Sequence, residues 1–544
     1  MPFPKKVRPL ANSMIVAPQP EAVETGTSIL GSGGNAVDAV IAAAITQGIV
    51  DPLMCGIGGL GILHIHNSTT KEDIIFDGLS RCPLNVKPDM WEAIFKRECS
   101  DGYGYEIEGE YNEYGHKSVT TPGILKLMHE AHNKYGKLKW KALFDPAIAV
   151  ALDGWLIRPH VAGMMALDER HVGRVPYIEK LRLTHDGRFL YLRPDGTLKK
   201  VGDKVENPDL AKSLQIIADN GIDEFYSGKL ADAIIDDMHQ HGGFLSSDDL
   251  KSYKPQICKP IKMQYRGYTI SVPPPPSGGL NILQMLKIIE KFDLIKLGHN
   301  SPEYIATLSE TMKWAGSDRD RYIGDPDFQP IPDHLLSEDY NANISNSILK
   351  GYKKDYQRIG LDSKDTTTIS CVDENGLIVS LTHTLGVPSG VIPPKTGFML
   401  NGAMNWYDPR PGRAGSIYPG KRRYSSMSPL MVFDGDRCVL TLGAPGGAWI
   451  GIALMQVIIN VLDWGMGIQD AIMAPRFSAT SNVIDIGNRI PYAVEKSLSA
   501  KGYTVARSGL TYPFAAPHGI SLWDGLLAGG IDPQRDGYVG AIFQ

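Results

Sequence analysis

Thr366, Thr367 and Thr368 follow Asp365 and lead into Ile369-Ser370-Cys371-Val372-Asp373, so three hydroxyls stand at the entry of a strand-like segment. A threonine hydroxyl is a poor nucleophile unless a base sits beside it. Cleavage of the chain just before the threonine supplies one, because the freed α-amino group then lies next to the hydroxyl. Threonine is also a good strand former, and spacing alone favours an ordinary structural strand.

The elements around this segment decide what it can do. Residues 366–373 and 377–384 both read as strands, joined by Glu374-Asn375-Gly376, a three-residue hairpin loop with glycine where a positive φ is needed. Pairing Asp373 with Leu377 carries the register to Thr366 opposite Thr384, on one face of the sheet. Upstream, 21–30 and 35–50 read as helices broken by Gly31-Ser32-Gly33-Gly34. The second is apolar on nearly every side, which predicts a buried central helix with Asn35 as its N-cap. Ile62–His66 and Ile74–Asp77 form a second hairpin. Residues 122–155 and 208–255 are helical in pattern, as are Gly279 to about Phe292 and 302–316. The 340–365 stretch reads as an exposed polar connector. From 366 onward strands dominate, with helices near 450–463 and 493–501. This order, without regular strand–helix alternation, predicts an α+β fold layered around antiparallel sheets.

Composition narrows the function. The 544-residue chain is 43% hydrophobic and 21% charged, with net charge −5. These values give no electrostatic case for nucleic acid or an anionic membrane. No apolar run is long enough to span a bilayer, and the basic N-terminus lacks an apolar segment after it, so the expected location is the cytoplasm. None of the six cysteines forms a C-x-x-C pair. His64 and His66 alternate on a strand but have no third ligand nearby in sequence, so no metal is expected, and no cofactor either. Gly56 to Gly61 lacks the strand-then-helix setting of a phosphate loop and reads as close packing near the sheet. Asp318-Arg319-Asp320-Arg321 reads as an ion-pair cluster at a helix end.

Several separate motifs resemble the gamma-glutamyltranspeptidases, a family of N-terminal-nucleophile hydrolases. They are Gly33-Gly34-Asn35-Ala36-Val37-Asp38-Ala39, Pro273 to Gly279, Gly324-Asp325-Pro326-Asp327-Phe328, Ser425-Ser426-Met427-Ser428-Pro429, Pro445-Gly446-Gly447 and Ala474-Pro475-Arg476, in the family's order over nearly the whole chain. The resemblance implies a four-layer αββα sandwich and autocatalytic cleavage between Asp365 and Thr366. Fragments 1–365 and 366–544 would stay packed as one folded unit. It implies Thr366 as nucleophile, with its α-amino group as base at a pKa of about 7.7–8.0. Thr384 would hydrogen-bond the nucleophile. The N–H groups of Gly446 and Gly447 would form the oxyanion hole, and Ser425 and Ser426 would hold a small amide substrate.

The sequence departs from the family where the glutamate α-carboxylate and α-amino groups are gripped. The family's arginine falls at Leu79, with Arg81 two residues away on the same strand face. Its asparagine falls at Gly386, and its glutamine and aspartate fall at Ala403 and Trp406, with Asn405 adjacent. Losing several partners for a zwitterion costs a few kcal/mol each. These departures point to retained amide-cleaving machinery with a more apolar acyl pocket formed by Ala403, Trp406 and Tyr407. Arg410, Arg413, Lys421, Arg422 and Arg423 form either a solvated basic loop or a site for a carboxylate on the acyl group. The 408–420 loop is shorter than the lid of typical bacterial members, which favours hydrolysis over transfer. Two other readings stay open: a true glutathione hydrolase or gamma-glutamyl transferase with substitute ligands, and an uncleaved, inactive homologue acting as a binding protein.

Overall fold

The computed structural model describes residues 11–100, 104–356 and 366–543; the Asp365 side of the expected cleavage point lies outside them. The threonine hairpin forms with strands Thr367–Val372 and Leu377–Thr384. Thr367 pairs with His383 and Val372 with Ile378, the register expected from the loop. The loop is fixed by Asp373, whose Oδ1 accepts from the N–H groups of Asn375 (2.9 Å) and Leu377 (3.1 Å), and by Gly376 at φ +77°. Both faces of the hairpin are buried. Ile369, Cys371, Val379 and Leu381 belong to a helix-side core, while Val372 and Ile378 meet Met431, Phe433 and Cys438 on the other side.

Thirteen strands build the two main sheets: β1 (Ala11–Ala17), β2 (Leu60–Asn67), β3 (Glu72–Gly78), β4 (Gln256–Cys258), β5 (Ile261–Tyr265), β6 (Tyr268–Val272), β7 (Thr367–Val372), β8 (Leu377–Thr384), β9 (Leu430–Asp434), β10 (Arg437–Gly443), β11 (His518–Ser521), β12 (Ala528–Gly530) and β13 (Tyr538–Phe543). The first sheet runs β13-β1-β7-β8-β2-β3-β4 and the second β12-β11-β10-β9-β6-β5. Strands from either side of Thr366 alternate in the first sheet, and the threonine hairpin lies between β1 and β2. The sheets stack closely where β10 ends. A side chain at Gly443 would lie 2.0 Å from Thr368 Oγ1.

Helices close the two outer faces. On the first sheet lie α1 (Pro20–Gly31), α2 (Ala36–Val50) and α3 (Ile124–Tyr135). Every residue of α2 except Gly48 is buried, and Asn35 and Asp38 form a reciprocal capping box at its start. On the second sheet lie α4 (Gly279–Ile289), α5 (Pro302–Tyr322), α6 (Glu338–Leu349) and α7 (Ile450–Leu462). The result is the αββα sandwich. Helix α6 corrects the connector expected at 340–365 over 340–349; residues 357–365 of it lie outside the described residues. It is capped by Ser337 and buries Asn341, Ile344, Ser345 and Ile348 along one stripe. The stripe was hidden because half of it is polar: Asn341 donates to the Leu335 carbonyl (2.9 Å) and Ser345 to that of Ile288 (2.8 Å). The glycine run 56–61 packs closely, as expected; a side chain at Gly59 would lie 2.3 Å from the Thr384 carbonyl oxygen. Among the described residues no helix is long and apolar enough to cross a membrane.

Arg422 locks the sandwich edge. Its buried guanidinium reaches Asp77 (2.8 Å), Asp325 (2.5 Å), Asp327 (3.3 Å) and Gln256 (2.6 Å). Removing one partner of a buried pair typically costs about 3–5 kcal/mol. Arg422→Leu should therefore lower the melting temperature by several degrees. Adding Asp325→Asn should recover part of that loss; equal melting temperatures for wild type and Arg422→Leu would refute the assignment.

Candidate active site

Thr366 sits one rung beyond the last paired residues of the hairpin and is 1% exposed. Its φ is +93°, a value that β-branched residues rarely adopt and that costs roughly 1–3 kcal/mol. Arg535 donates to its carbonyl oxygen (3.5 Å). Thr384 ends β8, and its Oγ1 accepts from the N–H of Gly386 (2.9 Å). Among the described residues no hydrogen bond joins the Thr366 and Thr384 hydroxyls.

A buried polar network backs this corner. From α2, Gln47 donates to Thr367 Oγ1 (3.1 Å) and Gln19 Oε1 (3.0 Å), and its Oε1 meets His383 Nε2 at 2.8 Å. Gln19, held at φ +62°, donates to Asp51, and Asp51 lies 3.6 Å from His160 Nε2. Burial lowers His383 to a pKa of about 3, so the imidazole stays neutral.

The second sheet delivers the glycine turn. Strand β10 ends against Thr368, two residues from Thr366 on the same face, and runs directly into Ala444-Pro445-Gly446-Gly447. Gly446 and Gly447 take φ of +134° and +52°, and a side chain at Gly446 would lie 2.4 Å from the Cα of Ala515. Glycine is therefore required twice over. Among the described residues neither N–H has an acceptor, so two backbone donors are left open, as a developing oxyanion needs. Ser426 Oγ donates to the Gly447 carbonyl. Ser425 donates its N–H to the Pro276 carbonyl (2.9 Å) and bridges Ser277, so the proline-rich motif carries the serine pair.

A cavity of about 410 Å³ is lined by Trp406, Tyr424, Arg319, Asp320, Arg321 and Arg413 among others, and Thr366, Gly446 and Gly447 are not in its wall. Trp406 packs with Tyr424 against Ala448, the residue after Gly447. The Arg423 guanidinium lies 3.2 Å over the Trp406 ring. The basic loop is not solvated as a whole: Lys421, Arg422 and Arg423 are buried, and Arg410 pairs with Asp408 (2.7 Å) and Glu98 (2.8 Å). Ala403 joins Leu79, Met427, Leu60, Ile62 and Ile75 in one buried apolar cluster. Asn405 turns toward the 105–113 segment, accepting from the Tyr105 N–H (3.1 Å) and donating to Glu113 (3.3 Å). Arg81 donates to the Gly420 carbonyl (3.2 Å) and bridges Thr121 and Arg422. His64 pairs with Asp73 (2.7 Å). Arg319, Asp320 and Arg321, expected only as a helix-end ion cluster, line the cavity. The sequence signal was their place beside the Gly324–Phe328 motif.

Two stacked sheets between helices, with a threonine at the head of a central hairpin and a glycine turn beside it, define the N-terminal-nucleophile hydrolase class. The chain belongs to the gamma-glutamyltranspeptidase family, whose model matches residues 22–542. It is 34% identical over 512 residues to the acylase ACY 1 proenzyme of Pseudomonas sp. (strain SE83), covering 93% of this chain and 89% of the relative. It is 32% identical to the glutathione hydrolase proenzyme of Bacillus subtilis (strain 168), covering 97% and 91%. Among solved structures, a cephalosporin acylase from Bacillus halodurans superposes with a TM-score of 0.86 at 27% identity, over 100% of this chain and 98% of that one. The protein is an enzyme of the family's amidohydrolase and acyltransferase type.

The neutral burial of His383 carries a pH signature. The unfolded imidazole takes its proton near pH 6.5, whereas the folded one resists to about 3. Stability is therefore full above pH 6.5 and falls as pH drops toward 3. By pH 4.5 this one residue should cost about 2–3 kcal/mol. Melting temperatures at pH 7 and 4.5 should show a smaller drop for His383→Gln than for wild type; parallel drops would count against the assignment.

Proposed function

We propose that the chain is a precursor cleaved between Asp365 and Thr366, and that the mature enzyme hydrolyses amides whose acyl group is not a glutamate zwitterion. Thr366 Oγ1 attacks the substrate carbonyl carbon while the freed α-amino group takes the hydroxyl proton. The oxyanion sits against the Gly446 and Gly447 N–H groups. Collapse breaks the C–N bond, the amine leaves with the relayed proton, and water hydrolyses the resulting threonyl ester. Losing one oxyanion donor typically slows such a reaction about 100- to 1000-fold. Ser425 and Ser426 support the substrate beside the turn.

The observation that carries the substrate reading is the apolar cluster uniting Leu79, Ala403 and Met427, with Trp406 stacked under Arg423. Leu79, Ala403 and Trp406 stand where the family resemblance expects polar partners for the glutamate head. Asn405, the neighbour best placed to substitute, is already bonded to Tyr105 and Glu113. The likeness to an acylase proenzyme and to a cephalosporin acylase supports the same reading. Glutathione hydrolysis is the second reading, favoured by the retained serine pair and by the Bacillus subtilis relative.

Wild-type protein should run as two fragments on a denaturing gel, the smaller sequencing from Thr366 as Thr-Thr-Thr-Ile-Ser, while Thr366→Ala stays whole. A stable full-length wild-type chain would sink the processing proposal. Among chromogenic anilides, glutaryl should exceed gamma-glutamyl in kcat/KM by about tenfold or more, since the two differ by the ammonium group that has lost its partner. The reverse order would establish the glutathione reading.

A further inference from the structure

Away from the nucleophile, His116, Asp237 and His241 bring their ligand atoms within 4.8 Å of one another. Asp237 and His241 are one turn apart at the end of the helix Lys229–His241 and share a face. His116 arrives from a separate short turn, His116–Ser118. Asp237 Oδ2 lies 2.8 Å from His116 Nε2, and Oδ1 lies 3.2 Å from His241 Nδ1. The meeting is tightly built. A side chain at Gly243 would lie 2.5 Å from Met238 Sδ and 3.1 Å from the His116 carbonyl oxygen.

No permanent cation stands beside the Asp237 carboxylate among the described residues: its side chain is 6% exposed, and no lysine or arginine pairs with it. Its two partners are imidazoles, neither a permanent cation. The helix C-terminus, closed by Gly242 at φ +70°, adds partial negative charge to the same spot. Tetrahedral zinc with ligands at about 2.0–2.1 Å sets its donor atoms roughly 3.3 Å apart; the 3.2 Å separation of Asp237 and His241 matches this, and the 2.8 Å separation of Asp237 and His116 would open by about half an ångström on binding. The two rings stack with centroids 4.3 Å apart and planes 16° apart. Both nitrogens reach one ion only if a ring tilts, and His241, with its side chain 47% exposed, has room to do so.

We infer that His116, Asp237 and His241 form a zinc site with one coordination position left for water, clipping the 108–118 segment to the end of the Lys229–His241 helix. That segment also carries Asn112 and Glu113, which hold Asn405 behind the cavity. The site is independent of the proposed amide chemistry.

The test uses untagged protein stripped with a chelator and titrated with ZnCl₂ by calorimetry, and with Co²⁺ by visible absorption. One equivalent should bind with micromolar or tighter affinity, raise the melting temperature and give the ligand-field bands of tetrahedral cobalt. His241→Ala, at a half-exposed position, should fold normally and bind about tenfold or more weakly. Asp237→Asn should lose binding while keeping the hydrogen bonds of a neutral acceptor. Failure of wild type to bind, or equal binding by wild type and His241→Ala, would overturn the site.

Discussion

The register of one hairpin governs this molecule. Asp373 fixes the loop at Asn375 and Leu377, and every residue back to Thr366 is then assigned to a face. A slip of one residue would turn Thr366, Thr368 and Ser370 away from the second sheet and drive Ile369 and Cys371 into it. The apolar demand of the helix-side core therefore holds a polar column in place on the opposite face. There Thr368 and Thr382 hydroxyls lie 3.2 Å apart and those of Ser370 and Ser380 3.3 Å apart. The polar side is stabilised by the packing of the apolar side.

The second sheet answers that column with an absence of side chains. Gly443 lets β10 approach Thr368, and Gly446 and Gly447 turn the chain with two N–H groups that have no acceptor among the described residues. Ser426 ties this turn to the serine segment, which leans on the Pro273–Gly279 motif. This corner is thus assembled from four separate stretches of chain. The cavity is assembled differently: its walls include residues of α5, of the 406–424 stretch, and Glu98, Gly104 and Tyr105. Leu79 and Ala403 sit in a separate apolar cluster away from the glycine turn, whereas Trp406 packs against Ala448 beside it.

Much of this was legible in the sequence where local rules coincide. The hairpin register followed from a three-residue loop with glycine, and the buried helix α2 from its apolar run behind a capping asparagine. The illegible parts depend on partners far along the chain. Helix α6 hid because Asn341 and Ser345 are buried polar residues satisfied by the backbone of other segments. Arg422 resembled a member of a solvated basic loop, yet its partners Asp77 and Asp325 lie hundreds and about a hundred residues away and bury it. Asn405 sits next to Trp406 in sequence, but its hydrogen bonds take it to the other side of the wall. The trio His116, Asp237 and His241 spans more than 120 positions, and only its Asp237–His241 pair has a helical spacing.

The alternation of strands in the first sheet has a mechanical consequence. A cut before Thr366 would open the chain at the head of a strand flanked by β8 and β1, and β13 from the same fragment closes the far side of β1. Neither piece is a module resting on the other; they are interleaved like the fingers of two hands. Parting them would mean breaking ladders on both sides of β1 and between β8 and β2, the work of unfolding rather than of dissociation. The torsion that holds Thr366 at +93° ceases to exist once its nitrogen is free, so nothing in the folded frame pulls the ends back together. Maturation of such a chain is a one-way event recorded in its covalent structure, and a population of these molecules carries its own history without exchanging parts.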